Sequence, residues 1–252
     1  MTKLTNDVQV YWQERAKSYG KQHQNELIEA EVSQWQSFIK KRLQEARRPI
    51  KKILDIGTGP GFLAIIIAKM GYDVTAIDLT DEMLTEAKAN AIRHQVNINF
   101  RKMNALDLQF APNEFDAIVT RNLTWNLDHP EQAYAHWLQY LQPNGVLLNF
   151  DANWYTYLYD QKQADDYQAS RKKVHDLAIA DYYAYQKSDL MEELAKQMPL
   201  SQHQRPAWDI QMLQQLAPTK INIYFNLNDE LLTVDQQINF ASTPLFCVCT
   251  HK

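Results

Sequence analysis

ILDIGTGPG, residues 53–61, is the stretch that decides the fold of this chain. Its first four residues form a short apolar run, which predicts a buried strand. Three glycines at GxGxG spacing then predict a sharp turn, because glycine adopts backbone angles that are closed to other residues. Residues 62–70 are almost wholly apolar and predict a helix directly after the turn. The segment therefore predicts a strand, a glycine loop and a helix in succession.

The same alternation of strand and helix continues along the chain. Helical patterns follow the first, second and fourth of the strand-length apolar runs, and Thr80 and Pro130 open two of those helices. Repeated units of this length predict an α/β fold with a doubly wound, mostly parallel sheet and helices on both faces. The further strands are expected at 73–78, 97–102, 115–120 and 146–151, and the helices at 80–91 and 130–141.

Both flanks of this repeat are predicted to be helical. An amphipathic pattern over 25–47 predicts one helix, and a shorter helix ahead of it is expected to end at Gly20. The apolar stripe of the longer helix consists of Ile28, Val32, Trp35, Ile39 and Leu43. After the fifth strand, residues 152–204 contain no strand pattern and are rich in tyrosine. A helix over 206–216 and strands over 221–227 and 245–250 are expected to complete the chain.

These patterns predict a single domain over residues 1–252. Within it, residues 1–48 are expected to form an N-terminal helical lid. Residues 152–204 are expected to form a helical, tyrosine-rich substrate cap, because an insertion after this strand lies over the crevice in which α/β sheets bind ligands.

Two acidic residues define the ligand of the glycine loop. Asp78 ends the second strand, where a carboxylate can accept hydrogen bonds from two ribose hydroxyls. Asp55 stands two residues before the first glycine, where it would repel a pyrophosphate but suits an ammonium group. A dinucleotide fingerprint would also need a small residue where Phe62 stands. The expected ligand therefore carries a ribose and a positive charge, as S-adenosylmethionine does.

At this point the chain resembles the class I S-adenosylmethionine-dependent methyltransferases, within the small-molecule group similar to the ubiquinone-biosynthesis type. Segments 53–61, 78–84, 104–108 and 115–122 look like four motifs of that family in order. The resemblance implies that Asp55 and the glycines face the methionine part and Met83 the adenine. Asn104, where the family more often has Asp, can still accept a bond from the adenine amino group. The implied cofactor residues are Asp55, Gly57, Thr58, Gly59, Gly61, Asp78, Leu79, Met83, Asn104, Ala105 and Arg121.

Methyl transfer from a sulfonium mainly requires alignment of the acceptor in a dry pocket, so no single catalytic residue is demanded. Where an acceptor needs a base, the candidates by position are Tyr19, Asn122, His129 and Tyr155. An exposed position before the helix-opening proline is the alternative for His129. For Trp125 and Trp154, core packing and pocket wall are equal alternatives. The acceptor, taken to be a small organic molecule, and the atom that is methylated remain open.

Composition narrows the function classes. The net charge is −4 without a broad basic footprint, so no nucleic-acid partner is expected, and the basic stretch 40–52 is assigned to a helix end. The chain has two cysteines, Cys247 and Cys249, which are expected to be buried, and no metal site is predicted. No apolar run approaches membrane-spanning length, which favours a cytoplasmic protein. The N-terminal helices offer enough apolar surface for a homodimer.

Two other functions compete with methyl transfer. A nicotinamide-dependent oxidoreductase uses a related sheet, although Phe62 and Asp55 argue against it. A protein that binds S-adenosylmethionine without turnover has the same motifs, because the reaction demands no signature catalyst.

Overall fold

The computed structural model describes residues 1–27, 29–185 and 187–252. Ile28, which belongs to the predicted apolar stripe, lies outside these ranges. A seven-stranded sheet in the order β3-β2-β1-β4-β5-β7-β6 forms the centre of the molecule. The strands are β1 Lys52–Ile56, β2 Asp73–Asp78, β3 Asn99–Lys102, β4 Phe115–Arg121, β5 Leu141–Asp151, β6 Lys220–Tyr224 and β7 Phe246–His251.

Helices precede, connect and follow these strands. Four of the helices described begin and end within two residues of the predicted positions. They are α1 Lys3–Glu26, α2 Glu29–Leu43, α3 Phe62–Lys69, α4 Asp81–Arg93, α5 Pro130–Tyr140, α6 Gln161–Asp176, α7 Ser188–Ala195, α8 Ala207–Gln215, α9 Asn228–Leu231 and α10 Val234–Asn239.

The predicted α/β class with a mostly parallel sheet is confirmed. β1 to β5 pair in parallel, whereas β7 pairs antiparallel with both β5 and β6. The strand order reverses at β1, which has β2 on one side and β4 on the other. In an open α/β sheet the crevice beyond such a switch point binds ligands.

Two apolar layers cover the two faces of the sheet, because successive side chains of a strand point in opposite directions. Ile53 and Val119 pack with α2 and α3 on one face, and both cysteines belong to that layer. Leu54 and Ile118 pack with α5 and α8 on the other face. The cysteines are buried and unpaired with each other, as expected.

The prediction that the first helix ends at Gly20 is wrong. α1 continues through this glycine to Glu26, and Leu27 is its C-cap. A Cβ at Gly20 would lie 2.7 Å from the Glu86 carboxylate on α4. The glycine is therefore explained by the close approach of two helices and not by a helix end. The longer helix correspondingly begins at Glu29 instead of residue 25.

The C-terminal third differs from its prediction in two places. The strand expected over 221–227 ends at Tyr224, and α9 and α10 follow where no helix was predicted. Thr233 caps α10 with a capping box that includes Gln236. These helices have only four and six residues, so the sequence shows little helical periodicity there. The cap signal at Thr233 was present in the sequence.

Candidate functional site: a glycine-loop cleft that opens into an aromatic chamber

A cleft lies at the carboxyl ends of β1, β2 and β4 and encloses about 1080 Å³, including solvent at its mouth. We call it the glycine-loop cleft. α1 closes one side of it, where the Thr2 and Thr5 hydroxyls both donate to the Asp128 carboxylate, at 2.5 and 2.6 Å. The cleft is lined by these sequence-predicted residues: Tyr19, Asp55, Gly57, Thr58, Gly59, Asp78, Leu79, Met83, Asn104, Ala105, Arg121 and Asn122.

The glycine loop turns back towards the sheet through left-handed backbone angles. Gly57 has φ +67° and Gly59 has φ +50°. A Cβ at Gly57 would lie 2.8 Å from a methyl carbon of Leu123, so a larger residue would collide there. Gly61 also has a positive φ, but its Cβ would meet Ala87 on α4, and it does not line the cleft. Gly61 therefore allows α3 and α4 to pack closely.

Asp55 lies beneath this loop and is almost wholly buried. The Thr58 hydroxyl donates to its carboxylate at 2.6 Å. Burial raises the pKa of Asp55 to about 7, and the nearby Asp78 carboxylate acts in the same direction. Because burial disfavours the ionised form, a cationic ligand group beside this residue would stabilise its carboxylate.

Asp78 is held in place by backbone donors. Its Oδ2 accepts from the Gly59 N–H at 2.9 Å, and its Oδ1 accepts from the N–H and hydroxyl of Thr80 at 3.0 Å each. Burial raises the pKa of this carboxyl, and these bonds oppose the increase. A carboxylate has about four acceptor sites, so Asp78 retains capacity for a ligand hydroxyl.

The wall opposite the loop carries the predicted adenine contacts. Met83 begins the buried face of α4, and its N–H donates to the capping Thr80 hydroxyl at 3.3 Å. Asn104 Oδ1 accepts from the Leu106 N–H at 2.9 Å, which fixes the side chain and uses one of its two acceptor sites. The geometry thus leaves this amide oxygen one site for an exocyclic amino group.

At the end of β4, charged and amide side chains face the cleft. Arg121 Nη1 lies 2.9 Å from the Glu26 carboxylate, and both side chains are largely buried. Asn122 has a left-handed backbone with φ +56°. Among the described residues, the buried amide oxygens of Asn122 and Asn126 have no hydrogen-bond partner. Unpartnered buried acceptors are costly, so they favour a ligand that donates hydrogen bonds here.

His23 is a cleft residue that sequence reasoning missed. It is buried, and neither ring nitrogen has a hydrogen-bond partner among the described residues. Its ring lies 4.4 Å from that of Tyr19, and Glu26 and Arg121 are its charged neighbours. Burial lowers the pKa of His23 to about 4. Tyr19, His23 and Glu26 are spaced on one helical face, a signal that was lost when the helix was ended at Gly20.

A second cavity of about 920 Å³, again including solvent at its mouth, adjoins the first. Four residues line both cavities, namely Trp12, Tyr19, Arg121 and Asn122. We call the second cavity the aromatic chamber, because half of its described lining residues are aromatic. Its aromatic side chains are Tyr11, Trp12, Tyr19, Trp125, Trp154, Tyr155, Tyr182, Tyr183, Tyr185 and Phe240.

The tyrosines of the insertion divide into two groups. Tyr155 and Tyr185 line the chamber, and their hydroxyl oxygens lie 3.4 Å apart. Tyr157 instead donates to Glu192 at 2.5 Å and stacks on Tyr167. These two rings pack between elements and do not line either cavity. Trp125 and Trp154 are both chamber residues, although Trp125 is also buried.

His129 lies apart from both cavities. It is exposed at the N-cap of α5, and its Nδ1 is 3.2 Å from the Glu131 carboxylate. The alternative of an exposed position before Pro130 describes this side chain, and nothing in the geometry brings it towards an acceptor.

A different cluster lies near the end of β7. Glu45, Cys249 and His251 place one ligand atom each within 4.8 Å of one another, a combination that sequence spacing did not indicate. The Glu45 carboxylate already pairs with Arg42 at 2.9 Å, and Lys220 lies 3.9 Å away. Two cations beside the carboxylate oppose the binding of a divalent metal ion.

Comparison with known proteins agrees with this geometry. Residues 54–149, which run from β1 to β5, match the family model of the methyltransferase domain. Over these residues the chain is similar to a methyltransferase domain. The predicted resemblance to the class I S-adenosylmethionine-dependent methyltransferases is thereby confirmed. Across the described residues, no helix has the length and apolar content needed to cross a membrane.

Curated relatives match over part of this chain. A provisionally named methyltransferase of a Geobacillus species is 37% identical over 131 residues, which are 50% of this chain and 53% of the relative. The ubiquinone biosynthesis O-methyltransferase of Coxiella burnetii is 30% identical over 111 residues, 43% of this chain and 47% of that protein. The chain thus spans about half the length of the curated relatives it matches.

Solved structures share the fold over a longer span. Geranyl diphosphate C-methyltransferase of Streptomyces coelicolor has a TM-score of 0.61 at 14% identity, covering 99% of this chain and 98% of that one. Phosphoethanolamine N-methyltransferase 2 of Haemonchus contortus has a TM-score of 0.58 at 13% identity, covering 86% and 52%. At these identities the likeness shows the fold.

Proposed function

We propose that this protein transfers the methyl group of S-adenosylmethionine to a small organic acceptor. The glycine-loop cleft would hold the cofactor, and the aromatic chamber would hold the acceptor. The observation that carries the proposal is the wall of four residues, Trp12, Tyr19, Arg121 and Asn122, that the two cavities share. A donor in one cavity and an acceptor in the other would meet at this wall.

The residues of the cleft fit this cofactor. The Asp55 carboxylate and the unpartnered oxygens of Asn122 and Asn126 form a set of acceptors suited to an ammonium group. Asp78 has remaining capacity for a ribose hydroxyl, and the left-handed turns at Gly57 and Gly59 shape the loop that faces it. The two solved structures named above hold S-adenosylmethionine or S-adenosylhomocysteine in the same fold.

S-adenosylmethionine supplies a methyl group that is already activated by its sulfonium charge. The protein then has to bind, orient and exclude water. Tyr19 and Asn122, in the shared wall, would position the acceptor, while the buried rings of Trp125 and Tyr155 would keep water from the chamber. His129 has no place in this scheme, because it is exposed outside both cavities.

A dinucleotide fits the same loop less well. The Gly59 N–H, which a pyrophosphate would need, is already bonded to Asp78. The buried carboxylates of Asp55 and Asp78 would face the negative phosphates. These contacts favour the cationic ligand over NAD.

We also propose that residues 1–48 act as a helical lid and that residues 152–204 act as a cap over the substrate. The bond from Thr2 to Asp128 ties the start of α1 across the cleft, and Tyr155 and Tyr185 of the insertion line the chamber. The small-molecule acceptor and the cytoplasmic location are likewise proposals.

Calorimetric titration with S-adenosylmethionine, S-adenosylhomocysteine and NADH tests the cofactor assignment. We expect both sulfur ligands to bind and NADH to give no heat. Binding of neither sulfur ligand would overturn the proposal. Release of S-adenosylhomocysteine during incubation with candidate acceptors then tests transfer, and binding without release from any acceptor would indicate the non-catalytic alternative.

A further inference from the structure

The charges that line the aromatic chamber do not cancel. Among its described lining residues the charged side chains are Arg15, Glu26 and Arg121. Glu26 and Arg121 form a buried ion pair at 2.9 Å. Arg15 is therefore a surplus positive charge in a wall whose other described residues, apart from that ion pair, are uncharged.

Among the described residues, the contacts that hold Arg15 in the chamber include no ion pair. Its guanidinium lies 4.1 Å from the centre of the Tyr185 ring and 5.8 Å from that of Tyr19. Its Nη1 donates to the Ser18 hydroxyl at 2.5 Å, and it lies beside the Tyr11 hydroxyl. Stacking on a ring restrains the guanidinium plane, and its fork of N–H donors matches a carboxylate.

The remaining wall is suited to a flat, unsaturated molecule. The Trp125 and Tyr155 rings lie 5.1 Å apart and tilted by 37°, and Tyr182 stacks near Phe240 at 5.8 Å. Aromatic rings bind other rings through offset and edge contacts as well as by burial of apolar area. A cationic amine could contact the aromatic faces here, but the positive charge of Arg15 would repel it.

We propose that the acceptor is an aromatic molecule that carries one carboxylate, with its ring between the aromatic walls and its carboxylate on Arg15. This inference rests on the proposed function, because it assigns the chamber to the acceptor. It names the charge and shape of the substrate, which the cleft and the shared wall do not specify.

Three probes with one ring and different charges test the inference. They are 4-hydroxyphenylacetate, its neutral methyl ester and the cation tyramine, each titrated into the whole protein with S-adenosylhomocysteine present. Quenching of tryptophan fluorescence reports binding, because Trp12, Trp125 and Trp154 line the chamber. We expect the anion to bind about tenfold more tightly than the ester or tyramine, as one charge-assisted contact provides. Equal affinities of the three probes, or a preference for tyramine, would overturn the inference.

A matched pair of variants locates the effect. Arg15→Gln should reduce the affinity for the anion to that for the ester and leave the ester unchanged. Lys17→Gln removes a positive charge from an exposed position of the same helix and should keep the preference. If both variants lose it equally, long-range charge and not Arg15 is responsible, and the assignment is wrong.

The titration with S-adenosylhomocysteine alone separates the two proposals. If this ligand binds while the probes show no charge preference, only the acceptor class is wrong. If it does not bind, the proposed function fails. A preference for the anion that depends on Arg15 would then still show a chamber for aromatic carboxylates.

Discussion

The glycine-loop cleft and the aromatic chamber meet at one wall but are built in different ways. In the cleft, the side chains that face a ligand are fixed by short local bonds, such as those of Asp78 to Gly59 and Thr80. In the chamber, side chains from α1, the insertion and the C-terminal third pack as rings, and the Tyr155–Tyr185 contact is 3.4 Å long. The comparison indicates a cofactor site whose polar groups are fixed by local bonds, beside an acceptor site whose shape depends on packing.

The largest expected effect lies on the cleft side. Asp78→Ala removes one charge-assisted ligand bond and also the anchor of the Gly59 N–H. A bond of about 1.5–3 kcal/mol corresponds to a loss of roughly ten- to hundredfold in affinity for S-adenosylhomocysteine. Calorimetric titration measures this loss of affinity. The control is Asp81→Ala, whose carboxylate is exposed and pairs with Lys102 at the surface. An Asp78 variant that is folded and binds normally would remove the ribose assignment.

Because His23 is buried beside the shared wall, we expect the folded protein to lose stability in acid. Its pKa is about 4 in the folded protein and about 6.5 in the unfolded chain, so the unfolded chain binds more protons between these values. The stability contributed by the neutral ring is complete above about pH 6.5 and is lost as the pH falls. At pH 5 the loss is about 2 kcal/mol.

Urea unfolding of His23→Gln across pH 4 to 8 tests this expectation. The variant should show a flatter dependence of unfolding free energy on pH than the parent. His175→Gln changes an exposed histidine and should keep the parent's slope. Identical slopes in all three proteins would show that His23 is not buried as a neutral group.

Gly57 and Gly71 both have a positive φ, but a new Cβ would be crowded only at Gly57. Replacing each by alanine therefore distinguishes the cost of the backbone angle from the cost of a steric clash. Alanine at Gly71 costs roughly 1–2 kcal/mol of stability because of the backbone angle, but no atom lies within 4 Å of the new Cβ. Alanine at Gly57 has the same backbone cost, and its Cβ would also lie 2.8 Å from a methyl carbon of Leu123. We therefore expect Gly57→Ala to lower both stability and S-adenosylhomocysteine affinity, and Gly71→Ala to lower stability alone. Equal losses of stability and of affinity in the two variants would show that the cleft does not specifically require glycine at position 57.

The smallest expected effect is the pH dependence of cofactor binding. With the pKa of Asp55 at about 7, its carboxyl is mostly protonated below that pH, and an ammonium ligand binds the ionised form. Affinity should rise by up to about tenfold per pH unit below pH 7 and level off above it. Asp55→Asn should bind weakly with no such rise. A parent affinity that is flat from pH 5.5 to 8 would remove Asp55 from the ammonium site.

Much of the cleft was predictable, because its parts follow each other along the chain. Asp55, the glycines and Asp78 lie on two successive strand ends, and parallel strands bring those ends to one edge of the sheet. His23 escaped prediction because Gly20 was interpreted as a helix end, whereas it accommodates Glu86 of α4. His129 was a candidate by position along the chain, but its side chain is exposed away from both cavities.

The sequence by itself determined the α/β class, the parallel half of the sheet and the resemblance to the methyltransferase family. Short-range signals carry these features, namely hydrophobic periodicity, turn glycines and the order of motifs. Only the tertiary structure decided which tyrosines line the chamber, that Arg15 lies in its wall and that the two cavities share residues. Those features join residues up to more than two hundred positions apart, such as Tyr11 and Phe240. Such contacts depend on how helices and loops pack, and packing leaves no fixed spacing in the sequence.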